Sequence, residues 1–457
     1  MVSLLVLAFL KESHQQCFEP FADHQPERKA HSDLYSGQQD FSLALLNAIN
    51  KLMPNENLFF SPYSTYHALL IAYFMSGRQT ESYLKKVLRL NENQIIDIVR
   101  TRSAPYEFTN ANKIYVSDAV PIRDCVANDF PEELEKKNFQ TDPEGARTSI
   151  NNWVENVTHH MIKDLLPGGT IDPSTSLVLV NAAYFKGMWE NKFNPDLTKQ
   201  EVFYVNPSKQ IMVDMMHMEE TFKHDVSETL GAHILELPYK GDNISMYILL
   251  PPFTNTEDSI EATLKNLTLE NFKSIVENDN LVSRRVLVAL PKFSLETTIE
   301  LTPILDSLGV GNLFKADADF TSLTTKKISV GEGIHKARID INEHGTQAAA
   351  ATALISTRFA ILESLGVGNL FQADADFSVL TPKKIGVSEG IHKARIDINE
   401  HGAHAAAATA LFSWRMMDEE NLPIKFTCNR PFVYIIYNGK THTVLFSGIF
   451  RSPPPKL

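Results

Sequence analysis

Cysteine is scarce in this 457-residue chain, which carries only Cys17, Cys125 and Cys428. So few, and an odd number, exclude a dense disulfide framework and leave at least one thiol unpaired within the chain, so core burial must supply the stability. Positive charge is also in deficit. Lys and Arg number 43 against 55 Asp and Glu, for a formal charge of −12. A surface of that sign does not suit phosphate backbones or anionic membranes, so neither nucleic acid nor membrane is expected as the partner. The apolar run at residues 2–10 is too short to span a bilayer but has the length of a signal-peptide core. No basic residue precedes it and no clear cleavage site follows. Residues 1–29 read as a signal or an N-terminal extension, and an extracellular location is the expectation.

The chemical motifs of several enzyme classes are missing as well. There is no GxSxG elbow, no HExxH or CxxC metal pattern, no GxxxxGK[ST] phosphate loop and no GxGxxG fingerprint, since LGVGNLF lacks the last glycine. His401 and His404 have a spacing open to a metal, but loop polarity is the preferred account of them. No catalytic residue, cofactor or metal is therefore expected. The Asn-X-Ser/Thr triplets at Asn156, Asn243 and Asn266 are candidate glycosylation sites in a secreted chain.

What is present is core material: 43% of residues are hydrophobic and 9% aromatic, which argues against disorder and permits one large mixed fold. Phe41, Leu45, Ile49 and Leu52 recur at helical spacing before Pro54, which predicts an amphipathic first helix. The stretch 176–185 (SLVLVNAAYF) is almost continuously apolar and reads as a strand buried on both faces. Val286, Val288 and Leu290 alternate before Pro291. The aromatic and β-branched runs 431–437 and 443–450, separated by Asn438 and Gly439, predict a C-terminal hairpin. Helices and strands interleave without a βαβ rhythm, so the predicted class is α+β with mostly antiparallel sheets.

An internal repeat dominates the C-terminal half. Residues 304–358 match 361–415 at an offset of 57, with 44 of 55 positions identical. Two copies are too few for a solenoid; local duplication, or two mutually exclusive exons joined in one product, accounts for them. Each copy carries IHKARIDINEHG and then an alanine run. Such a run suits one helical turn or a linker by propensity. The preferred reading is a strand in waiting, because small side chains slip between existing strands without overpacking and a preceding glycine frees the backbone.

Three motifs in order, Asn57-Leu58-Phe59-Phe60-Ser61-Pro62-Tyr63-Ser64, LVNAAYFKGMW at 179–189 and Asn429-Arg430-Pro431-Phe432, resemble those of the serpin family, and the likeness runs from about Gln38 to Phe450. The resemblance implies a single domain over 30–457 with helices around a large, mostly antiparallel main sheet, two smaller sheets and an exposed reactive loop. It implies a suicide-substrate inhibitor of serine endopeptidases that is cleaved in that loop and then inserts the loop into the main sheet. A monomer is expected, acting on a trypsin-like, chymotrypsin-like or elastase-like protease.

The resemblance assigns the hinge to Glu400, Gly402, Ala403, Ala405, Ala406, Ala407, Ala408 and Thr409. In the first repeat its counterparts are Glu343, Gly345, Thr346, Ala348, Ala349, Ala350 and Ala351. Counting the usual loop length places the cut at Met416–Met417, and a loop one residue shorter cuts Arg415–Met416. The same counts in the first repeat give Phe359–Ala360 or Arg358–Phe359. Arg358 and Arg415 occupy equivalent positions, which favours trypsin-like targets. Ser61, Ser64, Asn181 and His392, with His335 as its repeat counterpart, fall where the sheet opens.

Two departures from the family pattern stand out. The chain between Leu90 and Ala111 is short for the family's fourth helix, so Lys85, Lys86 and Arg89 read as a solvated helix face rather than a glycosaminoglycan site. The fold also has one place for IHKARIDINEHG, so either one copy is extruded or the alanine run Ala348–Ala351 inserts internally and fills the opening. A non-inhibitory carrier, storage or chaperone role is the rival reading, as is a product unable to inhibit.

Overall fold

The computed structural model describes residues 28–90, 108–241, 243–253, 259–277, 281–315, 317–357 and 423–454, all within one unit built from Met1–Arg358 and Pro423–Leu457. The strands, in chain order, are β1 (Leu58–Phe60), β2 (Phe108–Ser117), β3 (Leu134–Lys137), β4 (Thr175–Met188), β5 (Lys199–Asn206), β6 (Lys209–Ser227), β7 (Ala232–Pro238), β8 (Ile244–Leu250), β9 (Val282–Pro291), β10 (Phe293–Glu300), β11 (Ser329–Asn342), β12 (Gly345–Thr357), β13 (Ile424–Thr427), β14 (Phe432–Asn438) and β15 (Thr443–Phe450). Eight α-helices occur among the described residues: α1 (Arg28–Leu52), α2 (Pro62–Met75), α3 (Arg78–Val87), α4 (Asp124–Asp129), α5 (Pro143–Val157), α6 (Ser259–Asn266), α7 (Leu269–Val276) and α8 (Thr302–Leu305).

A six-stranded sheet runs in the order β10-β11-β12-β4-β2-β3, antiparallel except for β2 and β3. The predicted inner strand is β4, buried from Thr175 to Phe185 because β12 and β2 flank it and side chains cover both of its faces. The second sheet has nine strands in the order β1-β15-β14-β8-β7-β6-β9-β13, with β5 on β6. The two smaller sheets expected from the resemblance are thus one continuous sheet. The cause is β6, whose 19 residues pair with β5 and β9 along one part and with β7 at His224–Ser227. β14 and β15 form the predicted hairpin, antiparallel through Phe432↔Phe450 to Asn438↔Thr443.

One apolar cluster is shared by both sheets, with Phe185, Phe293 and Ile339 from the six-stranded sheet against Met246, Val288 and Tyr434 from the other. A second cluster lies on the other face of the six-stranded sheet, where Ile150 and Val154 of α5 meet Tyr115 and Val178. A third joins Phe41, Leu45 and Ile49 of α1 to α2. The predicted first-helix stripe therefore buries, except for Leu52, which is 54% exposed at the helix end. α2 begins where it does because Pro62 suits the first helical position and the Ser61 hydroxyl accepts from Ser64 N. Cys428 is buried and unbridged.

Candidate functional site

The alanine run of the first repeat is an interior strand. β12 leaves β11 through a two-residue turn, Glu343 and His344, and returns antiparallel to it from Asn342↔Gly345 to Ser329↔Thr357. Its other edge pairs with β4 from Gly345↔Met188 to Thr357↔Thr175. The side chains explain the fit. Ala348 and Ala350 face the core shared by the two sheets, while Ala349, Ala351 and Ala353 face the cluster under α5, and all five are fully buried. Their methyl groups add little bulk to either face, so the strand pairs on both edges without overpacking the clusters above and below it. At the strand's start the approach is closer: a Cβ on Gly345 would lie 2.0 Å from the carbonyl oxygen of Gly187, so only glycine fits.

A polar spine crosses beneath this strand. Ser61 N donates to His335 Nε2 at 3.0 Å, so that nitrogen is unprotonated and Nδ1 carries the hydrogen. Nδ1 then donates to Thr352 Oγ1 at 2.7 Å, and the Thr352 hydroxyl lies 2.9 Å from Ser64 Oγ. The Ser61 hydroxyl donates to the carbonyl of Leu445 at 2.8 Å. Burial pushes the His335 imidazole down to about 3, as expected for a fully buried ring whose second nitrogen faces an N–H. Asn181 Nδ2 donates to Asn112 Oδ1 at 2.7 Å across β4 and β2. In this way β11, β12, α2 and the hairpin strand β15 are tied at one level.

The hinge end is pinned separately. The Glu343 carboxylate accepts from Lys292 Nζ at 3.0 and 3.1 Å and from Thr198 Oγ1 at 3.0 Å. Burial works against its charge, but its own backbone N–H, Lys292 and Thr198 hold its pKa below the usual carboxylate value. Trp189 donates twice to the turn, from its backbone to His344 O and from Nε1 to Asn342 O, each at 3.0 Å. The fully buried Tyr239 hydroxyl donates to Thr346 Oγ1 at 2.7 Å.

The structure thus brings Ser61, Ser64 and His335 into one network and places Asn181 beside it, its carbonyl 3.5 Å from Ser64 Oγ. Glu343, Gly345, Thr346 and Ala348–Ala351 lie in the turn and strand. Of the two arrangements expected for the duplicated segment, the first repeat shows the internal one: Ala348–Ala351 lie within the sheet, paired on both edges with β11 and β4. Arg358, Phe359, Ala360, His392, the second-repeat hinge and Arg415, Met416 and Met417 lie outside the described residues, as does most of the segment before Ala111. Sequence reasoning missed Thr352 and Tyr239. Thr352 was accessible, since it is the repeat counterpart of Thr409; Tyr239, 107 positions from Thr346, carries no local signal.

Comparison with known proteins gives this architecture its family. A model described as Serpin (serine protease inhibitor) matches residues 36–361 and 357–453. The chain belongs to the serpin family. Its two matched segments overlap at residues 357–361, the boundary between the repeats. Among relatives, this serpin is 34% identical over 450 residues to Serine protease inhibitor 88Ea of Drosophila melanogaster, covering 92% of this chain and 91% of that one. It is 36% identical over 335 residues to the Leukocyte elastase inhibitor of Equus caballus, covering 70% and 88%. Among solved structures, cleaved Serpin 42Da superposes with a TM-score of 0.73 at 26% identity, covering 93% of this chain and all of that one. A loop-inserted, cleaved ovalbumin mutant shares the fold at 23% identity, TM-score 0.72, covering 92% and 100%. The family acts on proteases without being catalytic itself. Among the described residues no helix is long and apolar enough to cross a membrane and no His, Cys, Asp and Glu group is placed to hold a metal.

Proposed function

We propose that this serpin is a suicide-substrate inhibitor of serine endopeptidases. The protease serine attacks a loop carbonyl, the loop's C-terminal portion leaves as the amine, and the strand that remains acylated to the enzyme enters the six-stranded sheet between β11 and β4. One observation carries the reading: the hinge sequence of Gly345–Thr357 fits that slot residue by residue on both edges. Thirteen strand residues carry a tethered protease about 43 Å. Arg358 and Arg415, at matching repeat positions, suit a trypsin-like target. Secretion as a glycosylated monomer belongs to the same reading; Asn156 and Asn266 are exposed at helix ends and Asn243 is half-buried in a turn.

A second reading, a non-inhibitory serpin, is favoured by β12 already lying in the slot of an uncut chain. One experiment separates them. The purified protein is incubated with trypsin, chymotrypsin and elastase, complexes are sought that survive SDS, and the released C-terminal peptide is sequenced. A covalent complex supports inhibition, and the first residue of the peptide names the bond; cleavage without a complex, by this chain and by a variant whose slot is open, supports the second reading.

A further inference from the structure

The slot is filled although no bond has been cut, and chain length explains how. β13 lies by the hinge: Thr427 pairs with Ala289, three residues before Lys292, whose ammonium holds Glu343. The far end of β12 is about 43 Å from that hinge. With a single repeat, nine residues (415–423) would join the strand end to Ile424, ten steps that reach at most about 36 Å even in a straight line. An uncut single-repeat loop is therefore too short to lie fully in the slot while β13 stays paired. The duplication removes that limit, because 66 residues (358–423) now separate Thr357 from Ile424.

The slot also discriminates between two nearly identical strands. The Tyr239 hydroxyl is satisfied by Thr346, where the second repeat has Ala403. Gln347 Nε2 donates to the Tyr184 hydroxyl at 3.2 Å, where the second repeat has His404. Ile355 is 2% exposed, and its counterpart Phe412 is larger than the space it occupies. An unpaired buried hydroxyl and an overpacked ring both disfavour the second repeat here.

We infer that the first repeat is a built-in plug: β12, delivered by its short turn from β11 and held by the Tyr239–Thr346 hydrogen bond, occupies the insertion slot of the uncut chain, and protease trapping waits on its expulsion. The trapping clause rests on the inhibitory reading above; the occupancy does not. In the plugged state a protease that cuts the second repeat is released, because the strand it is tethered to has nowhere to go.

The test uses a labelled synthetic peptide with the sequence of residues 345–357 and the three proteases above, on the full chain, on a variant lacking residues 304–360, and on Ala350→Arg. The deletion leaves one complete repeat. The arginine places a charge in the core shared by the sheets, expels β12 and guards against a deletion that does not fold. The plug requires peptide uptake by either variant to exceed that of the full chain by about tenfold or more. A smaller ratio, uptake by none of the three, or an SDS-stable complex formed by the full chain overturns it. If the uptake contrast holds and no protein forms a complex, the plug stands and the inhibitory reading falls.

Discussion

The Tyr239–Thr346 hydrogen bond is where one atom distinguishes the fit of the two repeats, and it sets a measurable magnitude. Thr346→Ala gives the first repeat the residue found at Ala403. Tyr239 is 1% exposed and its hydroxyl has Thr346 as its partner at 2.7 Å, so truncation strands a buried donor, at about 1–3 kcal/mol. A chain of this length has an unfolding entropy near 1 kcal/mol/K, so the shift in melting temperature is about 1–3 °C. Tyr239→Phe tests the assignment: it removes the donor as well, so Tyr239→Phe/Thr346→Ala is expected within about 0.5 kcal/mol of Tyr239→Phe alone. Scanning calorimetry on the four proteins gives the cycle. A Thr346→Ala protein melting within about 0.3 °C of the parent, or a double variant that shows full additivity, refutes the reasoning.

Three further outcomes follow from the same site. His335 is neutral in the fold down to about pH 3 but takes up a proton at about pH 6.5 once unfolded; the unfolded state binds the extra proton, so stability falls as pH drops from about 6.5 toward 3, by about 1.4 kcal/mol per pH unit from this group, and urea midpoints across that range are expected to flatten in His335→Gln. Lys292→Ala leaves the Glu343 carboxylate without its cation; because Lys292 is 46% exposed the loss is screened to about 1 kcal/mol, and Glu343→Gln in the same chain is expected to recover part of it in denaturant titrations. Gly345→Ala brings a methyl to within 2.0 Å of the Gly187 carbonyl oxygen, so the first pairs of β12 must open, and hydrogen exchange of the amides at 345–348 is expected to rise by at least about tenfold.

Legibility in the sequence followed the range of the interactions. The inner strand β4 and the β14–β15 hairpin were readable because continuous apolar runs and an Asn-Gly turn are local signals. The alanine run was ambiguous for a physical reason: alanine favours helix in isolation, and its role as a strand depends on backbone pairing with β11 and β4 and on the two packed faces above and below it. The chemistry around His335 could be named only through the family resemblance, since its partner Ser61 lies 274 positions away and Ser64, reached through Thr352, is as distant in sequence. The merging of the second and third sheets was not readable at all, because it depends on β6 continuing through 19 residues rather than on any residue type.

Near-identity of the repeats raises the question of why the first, not the second, supplies the strand beside β10, and connectivity answers it. β10 pairs with β11 from Phe293↔Ile341 to Glu300↔Ile334, and His392 with its neighbours offers the same eight residues to the same edge. The first copy reaches that edge after 28 intervening residues (301–328), the second only after 85 (301–385). Loop closure therefore favours the first by about 1 kcal/mol, and the first copy is synthesised earlier. Once β11 is in place, β12 is joined to it by a two-residue turn, so entry of the first alanine run into the slot is almost unopposed by chain entropy, whereas the second must close a loop of nearly 60 residues. Holding that advantage fixed while changing the fit is a direct probe: a chain with the two repeats exchanged in order keeps every connection length but moves Ala403, His404 and Phe412 into the favoured position. If side-chain fit to Tyr239 outweighs connectivity, limited proteolysis of that chain will cut the copy nearer β10; if connectivity outweighs fit, that copy stays protected and the distal one is cut.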